Sequence, residues 1–119
     1  MIQWIQYHWL LLVLKKYIRQ HKLPVTIHST FPMIQLHTKR NWFYFITITA
    51  PCKLSTTVNR IRRQHLHAKI ILVAPNVNYS EIFEAHLELF GIVDTKRPLF
   101  MVIDELNEYL EFLFQLKID

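Results

Sequence analysis

The chain has 119 residues, 51% of them apolar, with one glycine, one cysteine and a formal net charge of +5. This length suits a single domain over residues 1–119, and the apolar content excludes a disordered polymer. The lone glycine, Gly91, excludes the Gly-rich phosphate loops of dinucleotide and nucleoside-triphosphate sites, and the lone cysteine, Cys52, excludes an internal disulfide.

Residues 2–20 read as a helix that is apolar on most of its circumference, with Lys15, Lys16 and Arg19 near its C-terminal end, where they suit the helix dipole. Its longest apolar run, Trp9 to Leu14, is far short of the ~20 residues that cross a bilayer, so a buried or interface helix is expected and no membrane partner. After Pro24, "VTIHSTF" (25–31) alternates with period two as a half-buried strand does. "MIQLHT" (33–38) continues in extended form, Arg40-Asn41 makes a turn, and "WFYFITIT" (42–49) follows as a strand apolar on both faces, hence central and covered on each side. Pro51 breaks that strand, and a helix is expected over 54–68.

"KIILVA" (69–74) reads as a buried parallel strand. Asn78 and Glu81 make an Asn-x-x-Glu cap for a helix that Gly91 is expected to close. "LFMVI" (99–103) reads as a further buried strand, with Asp104 capping a last helix whose core stripe is Leu106, Tyr109, Leu110 and Leu113. The predicted order is α-β-β-β-α-β-α-β-α, an α/β fold with a mixed central sheet and flanking helices.

Charge is unevenly spread. Residues 1–80 hold eleven Lys or Arg and no acid, whereas residues 81–119 hold nine acids and three bases. On the 54–68 helix, Leu54, Val58, Ile61 and His65 share one side, and Thr56, Arg60, Arg63 and His67 the opposite one, joined by Lys53. Such a stripe suits phosphate oxygens, because Arg and Thr donors can follow a nucleic-acid backbone without reading its sequence. The candidate nucleic-acid contacts are Lys39, Arg40, Lys53, Thr56, Arg60, Arg63 and Lys69, with DNA as the partner; Arg62, nearer the apolar edge, is expected to stack or pair within the fold.

Other chemistry has little support. His65 and His67 are two residues apart on a helix and diverge, His28 and His37 lie on separate extended segments, and no metal or cofactor is expected. Glu81, Glu84 and Glu88 on one helix, and Asp104, Glu105, Glu108 and Glu111 at the start of another, read as first-turn acids that favour the helix dipole. No Ser-His-Asp order or nucleophile elbow occurs, and Cys52 reads as a small packed thiol. The chain is therefore expected not to be an enzyme, the remaining enzymatic reading being a nuclease that recruits late acids such as Glu81 or Asp104.

The stretch from Phe31 to about Leu113 resembles the nuclease-like domain of the replication-relaxation proteins of plasmids and integrative elements, within the restriction-endonuclease-like fold. The matching elements are "PMIQLHTKRNWFYFITIT", "STTVNRIRRQ" and "KIILVAPN" in the order strand, strand, helix, strand, with a helix before them. That fold's signature is Pro-Asp, a spacer, then an acid-x-acid-or-lysine strand. Here Met33 stands in place of the first acid, and Thr47 and Thr49 in place of the later pair. The resemblance thus implies a cytoplasmic replication-accessory protein that binds DNA on an inactive nuclease frame, without the carboxylates that would clamp a catalytic ion. An alternative is an interaction module or homodimer, using the apolar N-terminal helix (Trp4, Ile5, Trp9, Leu12, Val13) and the opposite charge of the two ends of the chain.

Overall fold

The alternation of apolar residues along the middle of the chain produces a five-stranded sheet with helices on both faces. A computed structural model describes residues 2–47, 51–75 and 77–114, and the side chains of all of these except residues 2–4, 51 and 52. The elements are α1 (Ile2–Gln20), β1 (Thr26–Thr30), β2 (Met33–His37), β3 (Trp42–Ile46), α2 (Pro51–Gln64), β4 (Lys69–Ala74), α3 (Tyr79–Glu84), β5 (Gly91–Asp94) and α4 (Leu99–Phe114). The predicted class and element order hold. Strands lie in the order β1-β2-β3-β4-β5, antiparallel from β1 to β3 and parallel from β3 to β5.

The central strand is β3, as its two apolar faces require. Phe43 and Phe45 pack with Ile34, Leu36, Ile71, Val73 and Val93 against α1 and α4. Tyr44 and Ile46 pack with Ile70, Leu72 and Ala74 against Leu54, Val58 and Ile61 of α2 and Ile82 of α3. Each fully buried Phe in such a core is worth roughly 3 kcal/mol of apolar transfer. Both crossovers, β3-α2-β4 and β4-α3-β5, place their helices on the same face, as crossovers of one hand must when strand order advances in one direction.

Several boundaries move. The run 99–103 is the opening of α4, not a strand; Leu99, Phe100 and Met101 are exposed, while Val102 starts the buried stripe continued by Leu106, Leu110 and Leu113. Asp104 is therefore no cap, and the acids of α4 lie outside its first turn. Tyr109, placed in the core stripe by periodicity, is only half-buried. The fifth strand is Gly91–Asp94 instead. Gly91 does not close α3, and Glu88 lies beyond it: Asn78 Oδ1 accepts from Glu81 N at 3.0 Å at the start, and the helix ends at Glu84. Its closure comes from His86, held at φ 55°, with Leu87 N donating to Ile82 O at 3.2 Å. Lys22, at φ 50°, closes α1 in the same way, with Leu23 N donating to Ile18 O at 3.1 Å. Gly91 is needed for another reason: a Cβ there would fall on the ring and hydroxyl of Tyr109.

β1 is an edge strand with only Ile27 half-buried, so it is more open than its alternation implied. β3 ends at Ile46 and α2 spans 51–64 rather than 54–68. Thr47 is fully buried; its N–H and Oγ1 both donate to Pro32 O, at 3.0 and 3.2 Å, and latch the end of β3 to the turn before β2. Thr49 lies outside the described residues.

A candidate nucleic-acid interface

The α2 side of the sheet is only partly covered. α2 and α3 pack over β3, β4 and β5, leaving the same face of β1 and β2 open. Period-two alternation puts Thr26, His28 and Thr30 of β1 on this face, all exposed, beside half-buried Gln35 and His37 of β2. The cross-strand pairs are Thr26 with His37 and His28 with Gln35, so the two histidines are not opposite one another. This polar floor contains no carboxylate.

α2 forms the wall beside it. Leu54, Val58 and Ile61 are buried and His65 is half-buried, as the periodicity predicts, and Lys53, Thr56, Arg60, Arg63 and His67 are exposed. Arg62 establishes which flank of α2 faces which way. Its guanidinium donates to Leu66 O at 3.1 Å, to Ala68 O, and to Glu88 O at 2.7 Å, on the β5 side. At 100° per residue, the other flank carries Lys53 and Arg60 toward the open floor, with Arg63 and Thr56 turned outward. Lys53 to Arg63 spans roughly 15 Å of helix.

One end of the trough is also basic. Thr38 and Asn41 close the β2–β3 hairpin: Thr38 N donates to Asn41 O at 3.0 Å, and Asn41 N to Thr38 Oγ1 at 3.1 Å. The tip is consequently Lys39-Arg40, one residue earlier than the turn expected from sequence, and both side chains are exposed. Strand register brings this tip, the start of β1, the start of β4 and the last turn of α2 to the same end of the sheet.

Lys69 does not join the group. It lies on the α1/α4 face by strand parity, half-buried, with Nζ 6.0 Å from the centroid of the Phe90 ring. Among the described residues Arg97 pairs with Glu105, and none of the described late carboxylates is paired with Arg60 or Arg63. Neither α3 nor α4 brings its acids into a metal site: among the described residues no group of three or more His, Cys, Asp or Glu is arranged to hold an ion.

Sequence reasoning missed a stack of rings at the basic end. Trp42 lies between two imidazoles, with centroids 3.7 Å from His37 at 13° and 3.7 Å from His65 at 21°. Tyr44 is tilted toward His65 at 6.2 Å, and burial raises its phenol above the usual tyrosine range. The Lys39-Arg40 tip puts residue 37 opposite 42, whereas the Arg40-Asn41 turn expected from sequence would put it opposite 44; His65 arrives from the α2–β4 connection, for which the sequence carries no distance signal.

The proposed interaction residues of α1 divide. Ile5 and Leu12 are exposed at 61% and 68%, Trp9 and Val13 are half-buried, and the Trp4 side chain lies outside the described residues. No described helix is long and apolar enough to cross a membrane. Comparison with protein-family models, with curated proteins and with solved structures finds no match to this chain.

Proposed function

We propose that this chain is a non-catalytic nucleic-acid-binding protein that holds phosphates along the trough between α2 and the open face of β1 and β2. The observation that carries the reading is the exposure of Lys53, Arg60 and Arg63 beside a carboxylate-free floor, with Lys39 and Arg40 at one end. Phosphate oxygens satisfy five such cations without any base being read. Two features support an inactive nuclease-like frame: the α-β-β-β-α-β order of the first six elements, and the threonine at position 47, bonded to a backbone carbonyl where a metal-binding acid would stand. The replication-accessory role on a mobile element, and a cytoplasmic location, follow from the same resemblance. The test is fluorescence anisotropy with labelled DNA at low and moderate salt. Affinity that falls steeply with salt supports the reading, and absence of binding at ~50 mM salt removes it.

A second reading, self-association through α1, is favoured by Ile5 and Leu12, which are seven residues apart and exposed on one flank with Trp9 between them. Light scattering behind size exclusion should report a dimer that Ile5→Glu/Leu12→Glu converts to a monomer. A wild-type monomer at micromolar concentration removes this second reading.

A further inference from the structure

The ring stack has one covered end and one open end. His65 belongs to the α2–β4 connection, with Tyr44 tilted beside it, and closes the stack on the α2 side. On the other side His37 has Trp42 against one face only, and among the described residues no second ring lies against its outer face. The next position along the sheet in that direction is Thr26, paired with His37 in register, small and exposed. The stack therefore runs across the strands His65–Trp42–His37 and stops above a short side chain on an edge strand. Its 3.7 Å ring spacing is close to a base-stacking distance.

We propose that the outer face of the His37 imidazole, above Thr26, is a stacking site for one unpaired nucleobase. The proposal rests on the phosphate-binding reading above and adds to it: the ligand is single-stranded nucleic acid rather than duplex. Lys39 and Arg40 lie at the same end of the sheet, two and three residues past His37, where they hold the phosphates that flank a base in the slot. An internal base of a duplex is stacked on both faces by its neighbours and cannot enter. An extruded or single-stranded base gains the ring contact, and because every base has a π-face the slot selects strandedness before sequence. The open sheet floor admits the base edgewise past Thr26, which a covered sheet would forbid.

The experiment compares three labelled DNAs of equal length, about twelve nucleotides: oligo-deoxyadenosine, the same backbone carrying abasic sites, and a duplex whose two ends are covered by closing loops. All phosphates are retained, so the abasic strand and the duplex report cation contacts alone. The intact strand is expected to bind about tenfold more tightly than the abasic strand. His37→Leu, which keeps the Trp42 face covered without offering a ring of its own, should abolish that preference and leave abasic binding unchanged. Thr26→Leu is the second variant: it fills the slot at an exposed strand position with a side chain that has no ring face, and should also abolish the preference. Equal affinity for intact and abasic strands, or a full preference retained in both variants, overturns the stacking site while leaving phosphate binding in place. Failure of all three DNAs to bind overturns the phosphate reading and the stacking site together.

Discussion

Three arginines within four residues of α2 are assigned opposite tasks, and substitution should separate them. Arg62 holds three backbone carbonyls, whereas Arg60 is exposed on the floor-facing flank and Arg63 on the outer one. In Arg62→Ala the carbonyls of Leu66 and Glu88 can turn to water, but the bond to Ala68 O is partly buried and its loss is not fully replaced. A charge-assisted bond of that kind is worth about 1.5–3 kcal/mol and the two exposed ones a few tenths each, for a total of about 2–3 kcal/mol. In a domain of this size that lowers Tm by roughly 10 °C. Arg60→Ala/Arg63→Ala should change stability by no more than about 0.5 kcal/mol per site. Binding should reverse the ranking. With Lys39, Arg40, Lys53, Arg60 and Arg63 on phosphates, log K should fall with log salt at a slope of about −3.5 on a single strand, close to a 100-fold loss between ~50 and ~200 mM. The double variant should reduce the slope to about −2, while Arg62→Ala, assayed well below its Tm, keeps it. Urea melts and anisotropy titrations on the same preparations give both axes. An unchanged slope in the double variant, or a reduced one in Arg62→Ala, would refute the assignment of the α2 flanks.

Other predictions concern the frame. Thr47→Val removes one bond to Pro32 O and should cost about 1 kcal/mol in chemical denaturation, whereas Thr47→Asp buries a carboxylate at a position with no exposure and should cost above ~3 kcal/mol. His86→Gly relieves a left-handed backbone at the end of α3 and should stabilise by about 1 kcal/mol, read as a higher denaturation midpoint at constant m-value. Burial first, and the Glu111 charge second, raise the Tyr17 phenol above 10.0. The folded state therefore keeps a proton that the unfolded chain releases, so this contribution is complete below pH 10.0 and is lost as pH rises through the higher folded value. Tyr17→Phe, which also removes a buried hydroxyl without a partner among the described residues, should flatten the decline of stability in urea melts between neutral pH and the region above 10.0.

What could be read in advance depended on how local the governing interaction is. The apolar runs that became β3 (42–46) and β4 (69–74) read as buried strands, because each places apolar side chains on both sides of an extended backbone, and α2 declared its buried side through Leu54, Val58 and Ile61. The Asn78 cap was equally local, since the donor is three residues away. The run 99–103 was not decidable by period, because five consecutive apolar residues fit a strand or a helix turn. Its helical state follows from Val102 continuing the stripe of Leu106, Leu110 and Leu113 against the α1 face of the sheet. Gly91 looked like a helix stop, but the contact that requires it is with Tyr109, eighteen residues later.

By itself, then, the sequence determined an α/β chain with a basic, acid-free first two-thirds and a helix bearing an arginine stripe, since composition and period act within a few residues. Tertiary structure alone decided that β1 and β2 keep one face open, that the partners of Arg62 are the carbonyls of Leu66, Ala68 and Glu88, and that His65 meets Trp42. Those outcomes depend on which strands neighbour which helix, and that is set by packing across the whole sheet.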